Sequence, residues 1–188
     1  MSTETRMTTP VCTLAFPKLV TPDSMNADDP VEKKKYSVEL IFDEGADLTG
    51  LKAAAHAAAT AKWGNKIPKN LRSPFRDGST DREGKDAYEG RTFFAARSKQ
   101  RPRCVLRDGE GKYIGVAVDE LDDTFYPGCK VAVNVTAFAY DTGSNGVGFF
   151  LNSILKVDDG ERLGGSSGNV EDDFAGVDAA AFGEEVPF

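Results

Sequence analysis

The 188-residue chain is 40% hydrophobic and carries a formal net charge of −7, which suits one domain with a real core plus appendages. No run approaches the roughly 18 apolar residues of a membrane span, and the polar start MSTETRMTTP is not a signal peptide. We therefore expect a cytoplasmic protein. Three widely spaced cysteines and one histidine exclude a disulfide framework and argue against a zinc site.

The charge is distributed unevenly along the chain. Residues 158–188 hold nine acids and one base, a net charge of −8, whereas residues 1–157 hold 22 bases and 21 acids. Within residues 62–112 there are 14 bases against seven acids. The sequence therefore predicts a weakly basic body, with its positive charge concentrated in the middle, joined to a strongly acidic tail.

Alternating apolar residues predict two strands near the start of the chain. One covers residues 12–17, where Cys12, Leu14 and Phe16 alternate with Thr13 and Ala15. The other covers residues 35–42, and the polar stretch between the two strands predicts a loop.

A helix follows over residues 48–63, capped by Asp47 and closed by Gly64. Seven of its residues are alanine, which would let it lie close against a sheet. Residues 65–90 show little regular pattern, and their scattered Lys and Arg indicate either a nucleic-acid-binding arm or a solvated loop.

The central stretch RTFFAARSKQRPRCVLR, residues 91–107, predicts a strand with cations on one face. With period-2 alternation, the cationic row with its interleaved ring consists of Arg91, Phe93, Arg97, Lys99, Arg101 and Arg103. Phosphates favour Lys and Arg, and unstacked bases favour a flat ring, so the pattern suits a single strand of nucleic acid. A solvated sheet edge protected by Lys and Arg would show the same pattern.

Two later strands predict a hairpin around the turn DTGSNG. In residues 130–140 the valines at 131, 133 and 135 face one way, towards the core, while Phe138 and Tyr140 face the other. Those two rings suit base stacking or a subunit contact. The acids of residues 119–123 could bind a metal, but without further ligands at fixed spacing we interpret them as a solvated turn.

Beyond residue 157 the composition changes to Gly, Ser, Asp and Glu and cannot bury enough apolar surface to fold alone. We expect a disordered acidic tail over residues 158–188 that competes with DNA and docks partner proteins. The residues expected to dock partners are Asp172, Asp173, Phe174, Glu184, Glu185 and Phe188.

The segment FYPGCKVAVNVTAFAYDTGSNGVGFFLNSILKVDDGERLGG (125–165) resembles the signature region of a bacteriophage single-stranded-DNA-binding protein family of the Enc34-like type, which has an OB fold. ARSKQRPRCV (96–105) and LAFPKLV (14–20) are similar to segments of that family, and the ending EEVPF resembles the acidic tails of bacterial and phage single-strand binders. The resemblance implies an OB-fold DNA-binding domain over residues 1–157, with phage or host replication and recombination proteins as partners.

These patterns predict a mainly β protein, an OB-fold-like antiparallel barrel with one alanine-rich helix. The expected function is non-catalytic coating of single-stranded DNA in phage replication, recombination or repair, in the host cytoplasm, as a possible homodimer or higher oligomer and without a cofactor. An alternative is an interaction protein whose acidic tail mimics nucleic acid and blocks a basic site on a host enzyme. A metal-dependent nuclease lacks the usual histidine and carboxylate inventory.

Overall fold

The computed structural model describes residues 5–24, 26 and 28–163, in which nine strands and three helices are found. The strands are β1 (Arg6–Thr8), β2 (Cys12–Asp23), β3 (Lys35–Phe42), β4 (Arg76–Asp77), β5 (Thr92–Ser98), β6 (Arg103–Arg107), β7 (Tyr113–Gly115), β8 (Lys130–Tyr140) and β9 (Gly146–Asp158). The helices are α1 (Thr49–Trp63), α2 (Gly78–Asp81) and α3 (Leu121–Thr124). Among these described residues, no helix is both long and apolar enough to cross a membrane.

The strands form one sheet that curls into a partial ring. The order is β1-β8-β2-β3-β5-β9-β6-β7, with β4 paired to β5. In addition, β8 pairs with β9 along its whole length, so that β2, β3, β5, β9 and β8 follow one another around the ring. Two of the links are short, because β2–β8 and β5–β9 each involve only two residue pairs.

The direction of β9 corrects the expectation of an antiparallel sheet, because β9 runs parallel to both β5 and β6. Strand directions can alternate all the way around a ring only if the number of strands is even. A ring of five strands must therefore contain one parallel pair, and here that pair is β5–β9.

The inside of the ring is an apolar core, to which β8 contributes every second residue. Val131, Val133 and Val135 are fully buried, as their alternation predicts. Aromatic rings fill the centre of the core. The ring of Phe94 lies 5.3 Å from that of Phe42 and 4.5 Å from that of Phe149.

Helix α1 follows the prediction closely and covers part of the core. The carboxylate of Asp47 accepts a hydrogen bond of 3.0 Å from the amide of Thr49, and Gly64 ends the helix with φ of +58°. The buried face of the helix is almost entirely alanine, so its backbone can lie close to the strands. The expectation of a single helix is corrected by α2 and α3, which are four residues each.

The basic stretch 65–90 packs on the body through two aromatic residues. Phe75 approaches Phe94 edge-on, with ring centroids 5.8 Å apart. Tyr88 is only 3% exposed and packs edge-on against Phe93 at 5.0 Å. Within this stretch β4 extends the sheet beside β5 and α2 follows directly. Much of its apolar content is therefore used for packing.

The chain stays attached to the body beyond the predicted domain boundary at residue 157. Strand β9 ends at Asp158, and the hydroxyl of Tyr126 then donates to the carboxylate of Asp159 at 3.1 Å and accepts from the amide of Gly160 at 3.0 Å. The amide of Leu163 donates to the carbonyl of Pro127 at 2.9 Å. The six predicted docking residues of the tail lie outside the described residues.

All three cysteines are free and buried. Burial raises the pKa of the Cys12 thiol to about 12 and those of Cys104 and Cys129 to about 11. The three side chains therefore remain protonated thiols at neutral pH.

The central position of Phe94 predicts a large cost for truncating it. Phe94→Ala should lower the free energy of unfolding by about 3–5 kcal/mol, because a buried ring is lost and a cavity is left. Urea denaturation would measure the loss. Tyr113→Ala, at a residue that is 63% exposed, is the control and should stay within about 0.5 kcal/mol of the parent. If Phe94→Ala lowered the free energy of unfolding no more than Tyr113→Ala does, the central packing of Phe94 would be contradicted.

Candidate nucleic-acid interface

A row of cross-strand partners runs across the outer surface of the ring. Each residue pairs directly with the next on the neighbouring strand, in the order β2, β3, β5, β9, β8 and β1. Direct partners place their side chains on the same face of a sheet, and none of these residues is buried. We call the set the outer row, and its members are Lys18, Ser37, Arg97, Phe150, Thr136 and Arg6.

The outer row contains three cations whose N–H groups are largely free. Arg97 is exposed, and in the described part of the chain its guanidinium has no hydrogen-bond or ion-pair partner. The ammonium of Lys18 lies 3.8 Å from the carboxylate of Asp23, and both side chains are about half exposed. Arg6 donates through Nε to the side-chain oxygen of Asn134 at 2.9 Å. These groups can bind anions.

Aromatic rings continue from Phe150 along the same face. Phe150 is 47% exposed, and its ring stacks on Phe138 with centroids 4.0 Å apart and planes 20° apart. The ring of Tyr140 follows at 6.1 Å from Phe138. Because Phe138 and Tyr140 directly oppose glycines on β9, at positions 148 and 146, the two rings can lie down over that strand. The result is an aromatic surface beside the cation of Arg97.

Hydrogen bonds fix the end of the outer row next to the rings. The side-chain amide of Asn152 donates to Asn134 at 3.0 Å and to Thr136 at 2.8 Å. Asn134 also accepts the bond from Arg6. The network therefore orients the Arg6 guanidinium relative to Phe150.

A groove lies at the other end of the outer row, over β2, β3 and β5. Its cavity of about 440 Å³ meets a second one of about 530 Å³ at Phe16 and Glu39. The cations lining the first cavity are Lys18, Lys33, Lys35 and Arg97, and its acids are Asp23, Asp29 and Glu39. The size falls in the range of small-ligand sites.

The negative charge of Glu39, which lines this groove, is compensated by an arginine. Its carboxylate lies 3.1 Å from Nη2 of Arg82, and the hydroxyl of Tyr88 donates to it at 3.3 Å. Burial raises the pKa of Tyr88 to about 12, so the hydroxyl stays protonated and can donate at neutral pH. The acid therefore adds little uncompensated negative charge to the groove.

Phe16 lies at a bulge in β2. Two residues, Phe16 and Pro17, oppose the single residue Val38 between the pairs Ala15↔Glu39 and Lys18↔Ser37. In bulges of this kind the first residue is often a glycine with positive φ. Here it is Phe16, with φ of +43°, the one non-glycine residue of the described ranges with positive φ. A side chain in this conformation costs about 1–2 kcal/mol.

Free cations, exposed rings and hydrogen-bonding amides together suit a flexible polyanion with stacking bases. Within the described ranges, no three His, Cys, Asp or Glu side chains come together as metal ligands. The acids of residues 119–123 lie on a short 3₁₀ segment and on α3.

The sequence matches the family described as the single-stranded-DNA-binding protein of Enterobacter phage Enc34 over residues 5–185. The chain belongs to this family. No curated protein matches the chain.

Solved structures show the same fold at low sequence identity. The Enc34 protein in complex with single-stranded DNA superposes with a TM-score of 0.72 at 18% identity, covering 86% of this chain and 91% of that one. A second structure of the Enc34 single-stranded-DNA-binding protein gives a TM-score of 0.69 at 18% identity, covering 92% of this chain and 91% of that one. The gp2.5 single-stranded-DNA-binding protein of bacteriophage T7 gives 0.56 at 17% identity, covering 87% and 97%.

Within the family fold, five of the residues predicted from sequence lie on or near the outer row. Arg97 is a member of the row, and Phe138 and Tyr140 form the aromatic surface beside it. Lys99 and Arg103 are exposed on either side of the turn after β5. Their side chains are available to a ligand.

The other three residues have structural partners, and for Phe93 burial corrects the expectation that its ring stacks on a base. Phe93 is 1% exposed, because Tyr88 and the guanidinium groups of two arginines cover its ring. Arg91 donates to the carbonyl of Ala87 at 2.8 Å and lies 3.7 Å from Asp43. These contacts hold the 65–90 stretch against the sheet.

Arg101 is the third of these residues. It donates through Nε to the carbonyl of Leu19 at 3.0 Å and through Nη2 to that of Val20 at 2.9 Å. Its guanidinium also lies 5.2 Å from the ring centre of Tyr36. Two of its donors are therefore used to hold β2 in place.

Sequence reasoning missed Lys18, Phe150 and Arg6 as members of one site. Each lies on a different strand, and only the register of distant strands brings them together. For Phe150 a signal was present, because it lies out of phase with the core residues Phe149 and Leu151 on either side.

The contacts of Arg101 predict a loss of stability on truncation. Arg101→Ala should lower the free energy of unfolding by about 1–2 kcal/mol, because two hydrogen bonds from a charged group to backbone carbonyls are lost. Arg97→Ala, at an exposed residue without a partner in the described ranges, should stay within about 0.5 kcal/mol of the parent. Thermal and urea unfolding would compare them. Equal stability of the two variants would show that the Arg101 contacts contribute nothing.

Proposed function

We propose that this protein binds single-stranded DNA without catalysis, along the outer row. The observation that carries the proposal is the placement of exposed Phe150 between the cations Arg97 and Arg6, with Lys18 beyond them. Cations that follow the phosphates and rings on which bases stack are how sequence-tolerant single-strand binders work.

The dimensions of the outer row agree with this function. At about 4.8 Å between neighbouring strands, its five steps span about 24 Å. That length corresponds to about seven nucleotides at the stacked spacing of about 3.4 Å, and to fewer in a stretched strand. Lys99 and Arg103 would contact phosphates beside the rings.

The fold and the family support the same function. The five-stranded partial ring, with α1 against its core, is the arrangement we assign to an OB barrel, a fold that binds oligonucleotides on its strand face. One structure of the Enc34 protein is a complex with single-stranded DNA. We assign to this chain a role in phage DNA replication, recombination or repair, in the cytoplasm of the host.

The acidic tail is assigned two roles in this proposal, competition with DNA and docking of replication or recombination proteins. Residues 164–188 hold six acids and no base. Leu163, directly before them, packs against a small hydrophobic cluster formed by Ala15, Ile41, Tyr88 and Phe93. Ala15 is the residue before Phe16 on β2. We propose that the 25 residues after Leu163 act as a coil, for which the root-mean-square reach would be about 25–30 Å, enough to bring them to the outer row.

Removing two cations of the outer row tests the site. Lys18→Ala with Arg97→Ala should flatten the slope of log K against log[salt] by about 1.4, since each phosphate contact on a single strand contributes about 0.7. On the same basis affinity should fall about 25-fold at 0.1 M salt. Fluorescence anisotropy with a labelled thymidine oligonucleotide measures both quantities.

The matched control removes two exposed lysines elsewhere, Lys52→Ala with Lys112→Ala. This control variant has the same change in net charge as the outer-row variant. An equal loss of affinity in both would mean that binding depends on overall charge and not on the outer row. If the chain cut after Leu163 binds no single-stranded DNA at all, the proposed function fails, and the tail-mimic alternative gains support.

Deleting residues 164–188 tests the tail. Affinity for single-stranded DNA should rise on deletion, most clearly at low salt, because a competing polyanion is removed and screening is weak there. Deleting Phe188 alone should leave DNA affinity nearly unchanged but abolish capture of replication proteins, because an aromatic ring close to acidic residues suits an apolar pocket rimmed by Arg or Lys. Unchanged low-salt affinity after the long deletion would limit the tail to docking.

A further inference from the structure

We propose that Phe16 is a second base-stacking residue, which extends the DNA path from the Lys18 end of the outer row into the neighbouring groove. The inference rests on the proposed single-stranded-DNA binding and adds to it a subsite on β2. It concerns a nucleobase and its flanking phosphate.

The exposure of Phe16 is the first observation. Among the described residues, the Phe16 side chain is 50% exposed and belongs neither to the apolar core of the ring nor to the cluster of Ala15, Ile41, Tyr88 and Phe93. Its ring lines both cavities at the point where they meet. A large ring in this position contributes little to the core but presents a flat apolar surface to a ligand in the groove.

The backbone of Phe16 is the second observation. Glycine would fit the first position of the bulge without strain, whereas phenylalanine at φ of +43° does not. A strained residue that the core does not need is typical of a functional position. We therefore attribute the presence of the ring to binding rather than to folding.

The charges around the ring are the third observation. The ammonium of Lys85 lies 5.4 Å from the centre of the Phe16 ring, and Lys18 follows two residues later on the same strand. Lys35 lines the groove as well. A base that stacks on Phe16 would replace the Lys85 ammonium on the ring face. The displaced ammonium would then lie beside the phosphate of the same nucleotide, so the ring binds the base and Lys85 binds the phosphate.

The two acids at the far side of the groove do not oppose this arrangement strongly. Asp23 lies 3.8 Å from Lys18, and Asp29 lies 4.0 Å from Lys33. Both carboxylates are therefore close to a cation of the same groove.

The decisive variant is Phe16→Gly, because folding and binding should respond in opposite directions. Relief of the backbone strain should leave the melting temperature unchanged or raise it. Loss of one stacked base should weaken binding of an oligothymidylate long enough to span the outer row and the groove by about fivefold to 150-fold. Phe16→Trp keeps a flat ring and should bind within about threefold of the parent.

Tyr113→Ala, which removes an exposed ring outside the groove, is the control and should not change affinity. A lower melting temperature for Phe16→Gly, or a loss of affinity that Phe16→Trp shares, would show that the ring is structural. If Phe16→Gly binds like the parent while Lys18→Ala with Arg97→Ala is weakened, the DNA path avoids Phe16 but the proposed function stands. If the parent itself fails to bind, the proposed function is what fails.

Discussion

The contact between β5 and β9 is the constraint on which the rest of this structure depends. Only two residue pairs join these strands, yet these pairs link the two ends of the curled sheet and complete the core around Phe94. The same two pairs place Arg97 next to Phe150 on the outside. Folding and the candidate interface are thus coupled, because the closure that buries rings on the inner face aligns a cation with a ring on the outer face.

Local patterns in the sequence predict most of the elements. The alternation of β8 and the composition and caps of α1 identify both correctly, because each pattern depends on neighbours within a few residues. The antiparallel expectation fails for β9, since the direction of a closing strand depends on how many strands the ring contains. The outer row is predicted only through Arg97, because its other charged and aromatic members come from strands that are distant in sequence.

Charge alone is a poor guide to which arginine side chains are available to a ligand. Arg97 and Arg101 are four residues apart in the same basic segment. Among the described residues the Arg97 guanidinium has no partner, whereas that of Arg101 donates to the carbonyls of Leu19 and Val20. The stretch 65–90 shows the same division. Arg82 neutralises Glu39 and lies 5.1 Å from the centre of the Phe93 ring, so part of a strongly basic segment is needed to cover the sheet.

The buried cysteines make the outer face convenient for site-specific chemistry. Burial raises the thiol pKa values to about 11 to 12, so at pH 8 the native cysteines hold far less of their sulfur as thiolate than an ordinary exposed cysteine does. A cysteine introduced at Ser37 or Thr136 would therefore react with a maleimide dye far faster than the native three. A fluorophore could be attached within the outer row of the otherwise unaltered chain, with no need to remove any native sulfur first.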